Sequence, residues 1–272
     1  MSDSRPIGIF DSGLGGLTVM KEISEKLPNE NIVYFGDTGR VPYGTRSRET
    51  IRKYAVQDEK FLLNNDVKII IAACGTVSAV AADTAYDLPV PFFEVISYAA
   101  TAAVAATRNG KIGVIGTPAT INSNAHKNRI LQIDKTCEVT AISCPLFVPL
   151  VEEGWIDADN IAVYHTAKRY LEPLKKAGVD TLILGCTHYP LLCNVISKVM
   201  GSDVTLINMG TATADAVKSY LTENNMLTNA NNNGTNKFFV SDMTNSFQKT
   251  AELLLGESID ESNLEQVDID II

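Results

Sequence analysis

The sequence predicts an α/β fold of two pseudo-symmetric lobes with mainly parallel sheets that meet at one cleft. Two observations carry this. Short apolar runs alternate with helical stretches along the chain, the rhythm of βαβ units. Two of those runs, IIIAACGT and LILGCTH, end alike, on a thiol followed by hydrogen-bonding groups: Cys74, Gly75 and Thr76 in one, Cys186, Thr187 and His188 in the other. Each of these units comes after a long helix and leads into another helical segment, so the chain reads as an internal duplication of pattern, without a tight sequence repeat.

The strand candidates are PIGIF, NIVYFG, VKIIIAAC, VPFFEVI, KIGVIG, CEVTAIS, DTLILGC, DVTLIN and NKFFVS. The most apolar of them, too short for long helices, read as central strands of a parallel sheet, buried on both faces. Helices are expected at 17–27, 47–65, 77–87, 98–108, 119–132, 158–176, 211–224 and 244–255, several opening at Ser, Thr, Asp or Asn caps. TNANNNGTN, at 228–236, reads as an exposed loop, and the acidic C-terminal tail as a solvated end. The expected lobes are residues 1–97 together with 208–272, carrying Cys74, and residues 98–207, carrying Cys186.

A chain of 272 residues, 45% hydrophobic and 20% charged, is long enough for one large α/β domain or two small ones. Its net charge of −9 argues against nonspecific nucleic-acid binding, which needs Lys and Arg to neutralise phosphates, yet leaves room for a small anion in a locally positive pocket. MSDSRPIGIF is too polar for a signal peptide, and no stretch reaches the roughly 18 apolar residues of a membrane span, so a cytoplasmic protein is expected. The five cysteines, Cys74, Cys137, Cys144, Cys186 and Cys193, form no CxxC pair. That pattern supports neither a zinc ribbon nor a thioredoxin-type site, and the odd count fits free thiols.

Residues just past parallel strands sit where open α/β sheets bind ligands, so Cys74 and Cys186 can share one pocket. A thiol, with a free pKa of about 8.5, is readily converted between weak acid and soft base. A thiolate taking a proton from a carbon while a thiol delivers one to the opposite face would invert a stereocentre. The remaining cysteines read as core packing.

Other residues have chemical potential. IGIFDSGLGG puts Asp11 and Ser12 past the first strand, ahead of a glycine turn; Asp11 reads either as a cap or as a ligand or catalytic partner. The turn is not a dinucleotide fingerprint, because Thr18 stands where its third glycine belongs. FGDTGRVPYG supplies Asp37, Arg40, Tyr43 and Gly44 as a substrate lip or a structural turn, with Arg40 free to pair with Asp37 or with a ligand. His188 is two residues from Cys186 and can ionise it. Glu152 and Glu153 fit either orienting a base or capping a helix, and Thr117 and Thr120 either a ligand or a cap. His126 and His165 read as surface or packing residues.

IGIFDSGLGGLTV, GDTGRVPYG, ACGT, FVPLVEEG and LGCTHYPLL, in that order and over nearly the whole chain, resemble the glutamate racemases of the cofactor-independent Asp/Glu racemase superfamily. The resemblance implies a two-lobed enzyme with its active site in the cleft, interconverting L- and D-glutamate and supplying D-glutamate for peptidoglycan. It implies Cys74 and Cys186 as the acid/base pair, with Asp11 supporting Cys74, His188 supporting Cys186 and Glu152 a partner one layer out. Asp11, Ser12, Tyr43, Gly44, Thr76, Thr187 and His188 would contact substrate, with Gly75 counted beside them. No cofactor, metal, nucleic acid or membrane partner is implied, and a homodimer is.

The chain departs from that family's pattern at three places. Gly75 stands where Asn is common, so a side-chain amide that would contact substrate is missing; the lost hydrogen bond costs about 0.5–1.5 kcal/mol unless water or the Gly75 backbone substitutes. Asn208-Met209 replaces Asp-Ser, and Gly39 replaces Ala. The rival readings are a racemase for another acidic amino acid such as aspartate, a non-catalytic amino-acid-binding homologue, and, behind both, a thiol hydrolase.

Overall fold

A computed structural model describes residues 2–230, 232–243 and 247–269. The first sheet contains β1 (Ile7–Asp11), β2 (Ile32–Gly36), β3 (Ile69–Ala72) and β4 (Phe92–Glu94). The second contains β5 (Lys111–Gly116), β6 (Glu138–Ser143), β7 (Thr181–Gly185) and β8 (Thr205–Asn208). The chain then returns to the first sheet with β9 (Asn236–Val240) and β10 (Leu264–Gln266). The strand orders are β10-β9-β2-β1-β3-β4 and β6-β5-β7-β8, and every pairing is parallel.

The second sheet repeats the β2-β1-β3-β4 order of the first. In each, the chain leaves the first strand toward one side and comes back on the other, so the crevice lies at the carboxyl ends of β1 and β3, and of β5 and β7. Cys74 lies just past β3 and Cys186 just past β7, at equivalent places.

The helices are α1 (Leu17–Lys26), α2 (Arg48–Asn64), α3 (Gly75–Val80), α4 (Val95–Ala106), α5 (Pro118–Asn122), α6 (Ala125–Ile133), α7 (Phe147–Glu152), α8 (Ile161–Ala177), α9 (Cys193–Met200), α10 (Met209–Glu223) and α11 (Phe247–Leu255). They cover both faces of the first sheet, which explains its unbroken apolar strands. Ile7, Ile9 and Ile71 belong to a core shared with α1 and α10, while Phe10, Ile70 and Ala72 belong to a second core with Ile51 and Ala55 of α2. Helix α10 comes after a strand of the second sheet but packs on α1 and α4, and the larger core runs through both lobes. No helix among the described residues is long and apolar enough to cross a membrane.

Four expectations need correction. The helix expected at 77–87 is α3, starting at Gly75 directly after Cys74, with a 3-10 turn over Ala82–Asp87 beyond it. The one expected at 119–132 is broken between α5 and α6 by Asn124, whose φ of 57° no α-helix accommodates. No helix was expected over α7, and α9 is the helical segment expected after the Cys186 unit, for which no range was given. The C-terminal tail is not merely a solvated end: β10 pairs with β9, and Ile269 is buried in the second core. Residues 244–246 of the helix expected at 244–255, Asn231 of the loop and 270–272 of the tail lie outside the described residues.

One buried ion pair staples the amino-terminal edge of the first sheet. Lys68 and Glu30 are both inaccessible, their side chains 2.5 Å apart. Lys68 Nζ also donates to the carbonyls of Asp3 and Met226 at 2.8 Å, and Thr228 N donates to Glu30 at 2.8 Å. Lys68→Met leaves Glu30 charged and buried, and is expected to lower stability by about 3–5 kcal/mol. Urea unfolding of the variant beside the native chain measures this.

Candidate active site

The loop after β1 builds one side of the site. Gly13 N–H donates to Asp11 Oδ2 at 3.1 Å, and the Tyr34 hydroxyl fixes the turn by donating to the Gly13 carbonyl at 2.9 Å. The turn presents Ser12 to Cys74, whose thiol donates to Ser12 Oγ across 3.4 Å. Burial and the charge of Asp11 push the Cys74 pKa up to about 12, although the Ser12 hydrogen bond opposes them.

The second thiol has a different setting. Cys186 Sγ is 3.9 Å from His188 Nδ1, and the opposite ring nitrogen is 3.1 Å from Glu152 Oε1, at the end of α7. Burial disfavours charge on His188, but its hydrogen bonds to Cys186 and Glu152 outweigh this and raise its pKa to about 10. At neutral pH the ring is therefore an imidazolium, donating from both nitrogens.

Both sulfurs open on one cavity of about 320 Å³, the size of a small-molecule site. Ser12, Tyr43, Gly44, Gly75, Thr76, Glu152, Thr187 and His188 line it with Cys74 and Cys186, so the structure gathers nearly all the residues singled out in the sequence. Of the residues that the resemblance places at the site, Asp11 is the exception; Asp37 and Arg40 of the lip also lie outside the wall. Asp11 lies behind Ser12 and Cys74, with Oδ1 buried and without a protein partner, and burial raises its pKa. Thr18 ties the halves together, its hydroxyl donating to the Thr187 carbonyl at 2.8 Å.

The alternatives left open in the sequence now separate. Arg40 pairs with Asp37, Nε to Oδ2 at 2.6 Å. Tyr43 donates its hydroxyl to Asp37 and approaches Asp58 at 3.1 Å, so that hydroxyl is committed to buried carboxylates outside the cavity wall. What the lip offers a ligand is therefore its backbone and ring. Glu152 reaches His188, whereas Glu153 is exposed and ends α7. Thr117 does both jobs: it caps α5 and lines the cavity, its hydroxyl 3.1 Å from that of Thr76.

Cys137 and Cys144 are buried and Cys193 is half-buried; all five cysteines are free. His126 packs inside, and desolvation lowers its pKa to about 4, while His165 is exposed. Val148 and Pro149 of α7 line the cavity without having been singled out. Their signal was the FVPLVEEG motif, read for its carboxylates alone. Among the described residues no cluster of three or more His, Cys, Asp or Glu is placed to hold a metal ion.

Residues 7–217 match the family model described as Asp/Glu/Hydantoin racemase. The chain belongs to that family. It is 46% identical to glutamate racemase of Geobacter metallireducens over 253 residues, 93% of each chain. It is also 46% identical to glutamate racemase of Thermoanaerobacter pseudethanolicus over 268 residues, covering 98% of this chain and 99% of the relative. A crystal structure of glutamate racemase from Francisella tularensis in complex with D-glutamate superposes with a TM-score of 0.92 at 41% identity, covering 99% of this chain and 100% of that one.

Proposed function

We infer that this chain is a glutamate racemase, an isomerase that interconverts L- and D-glutamate by moving a proton at the α-carbon between two thiols. The observation that carries the chemistry is two free cysteines, at equivalent strand ends of two sheets, opening on one cavity. Glutamate as substrate is supported by relatives that carry that name along nearly their whole length. Supply of D-glutamate for peptidoglycan is part of the same reading. The strand membership of the sheets supports a division into a lobe of 1–97 with 208–272 and one of 98–207.

In this mechanism one thiolate takes the α-proton, breaking C–H and forming S–H, and the carbanion takes a proton from the other thiol on the opposite face. Negative charge passes from one sulfur to the other. In one direction Cys186, beside His188, is the base and Cys74, whose thiol donates to Ser12, is the acid. The reverse direction starts from Cys74 thiolate. Hydroxyls of Ser12, Thr76 and Thr187 and nearby backbone N–H groups provide donors for the substrate carboxylates, where charge grows as the proton leaves.

Purified protein with L-glutamate in deuterated buffer, without added cofactor, is expected to lose the circular dichroism of L-glutamate while deuterium enters the α-position. L-aspartate run alongside separates the rival substrate. Turnover of aspartate alone reassigns the substrate, and binding of glutamate without optical change leaves a non-catalytic homologue.

A further inference from the structure

The lip enters the cavity wall as one run of chain, Val41, Pro42, Tyr43, Gly44 and Thr45, shaped by the 3-10 turn Tyr43–Thr45. A run this short has no ladder of backbone bonds to fix it and depends on its anchors. The anchors lie behind the wall, where the turn after β2 supplies Asp37 and α2 supplies Asp58, both inaccessible to solvent. Two buried carboxyls flank one phenol, that of Tyr43, and one guanidinium, that of Arg40.

Counting protons separates the two carboxyls. A phenol has a single proton, and Tyr43 donates it to Asp37 Oδ2. Arg40 Nε donates to the same oxygen at 2.6 Å, and the Ser241 hydroxyl, just past β9, donates to Asp37 Oδ1 at 2.7 Å. Three donors thus converge on Asp37. Asp58 stands further off, with Oδ1 3.3 Å from Arg40 Nη2 and Oδ2 3.1 Å from the Tyr43 oxygen. Since the phenol proton has gone to Asp37, an ionised Asp58 would set lone pairs against lone pairs. A proton on Asp58 Oδ2 turns the same contact into a hydrogen bond donated to Tyr43. The longer approach of Arg40 to Asp58 also fits a neutral acid, because charge-assisted bonds are the shorter ones. Burial and the charge of Asp37 act in the same direction, holding the Asp58 carboxyl well above the usual carboxylate range.

We propose that Asp58 is a positioning residue that works as a neutral acid: its proton bonds the Tyr43 oxygen, and Asp58, Tyr43 and Asp37 form one line of hydrogen bonds that holds the lip in the cavity wall. Its kinetic consequence rests on the racemase reading above, in which the lip meets the substrate through its backbone and ring. Neither sulfur belongs to the lip, so a loosened lip weakens the ground state and the transition state alike. Such a change raises KM and spares kcat.

The test compares two replacements that keep the shape of the side chain. Asp58→Asn can still donate to the Tyr43 oxygen, whereas Asp58→Leu makes no hydrogen bond. KM for glutamate should stay within about twofold of native in Asp58→Asn and rise at least about tenfold in Asp58→Leu, with kcat nearly unchanged in both. Asp58→Ala takes the place of Asp58→Leu if circular dichroism shows the latter unfolded. Glu59→Gln is the control, since Glu59 is the next residue of α2 but accepts from Thr84 at 2.6 Å, and it should keep the native KM. The infrared difference between native and Asp58→Asn protein at neutral pH should contain the carbonyl stretch of a protonated carboxylic acid, shifted by deuteration. A missing band overturns the proposal. So does an Asp58→Asn KM raised as far as that of Asp58→Leu, a native KM in the folded Leu or Ala variant, or an equal rise in Glu59→Gln. Where neither the Leu nor the Ala variant folds, the infrared band decides. Failure of the native chain to change the optical activity of glutamate defeats the racemase reading instead, and leaves that band to report on Asp58.

Discussion

Cys74→Ser and Cys186→Ser are each expected to lower racemisation by about 10²–10⁴-fold, with the circular dichroism of the fold unchanged. A hydroxyl nearly matches the thiol in shape, so packing at these buried positions is kept. What is lost is acidity and softness: serine neither ionises beside His188 nor delivers a proton on the time scale of turnover. The variants should differ in a way that assigns each sulfur to a face. Cys74→Ser retains Cys186, and should exchange the α-proton of one enantiomer without inverting it. Cys186→Ser should do so, more slowly, for the other enantiomer, because Cys74 is buried beside Asp11 with its pKa raised to about 12. Full racemisation by either variant would overturn the two-base assignment.

Removing the imidazolium is the second large change. His188→Asn is expected to lower the rate by about 10²-fold, since it removes the positive charge 3.9 Å from Cys186. The pH dependence gives an independent readout. Burial opposes the charge on His188, yet its bonds to Cys186 and Glu152 raise the pKa to about 10. A raised histidine pKa means that the charged ring is kept below that value and lost above it. Activity should therefore persist on the alkaline side and fall through about pH 10. The linked contribution to folding has the same sign: it is complete below the unfolded histidine pKa of about 6.5 and disappears as pH rises through the folded value. Glu152→Gln removes the negative partner and should move the alkaline limb to lower pH. A pH–rate profile identical in native and Glu152→Gln protein would disprove this role for Glu152.

Much of this site was legible because parallel sheets write themselves plainly. Buried strands such as IIIA and TLILG are unbroken apolar runs, and the residues next along the chain stand at the sheet's carboxyl edge. Cys74 and Cys186 could thus be read as neighbours although they lie 112 positions apart. Features that depend on packing between remote segments left no such trace. The Lys68–Glu30 pair looks in sequence like two ordinary surface charges. Tyr43 looks available to a ligand until Asp37 and Asp58 take its hydroxyl. β10 is only three residues long, LEQ, in an acidic tail, so only its pairing with β9 distinguishes it from a loose end.

The unequal support of the two sulfurs has a kinetic consequence. Ser12, with Asp11 behind it, serves one sulfur, while His188 with Glu152 serves the other. Mirror-image amino acids have the same free energy in water, so their equilibrium constant is one, and kcat/KM must be identical in the two directions however lopsided the site. The asymmetry can surface only in kcat and KM taken separately. The enantiomer with the lower KM must be the one turned over more slowly, by the same factor.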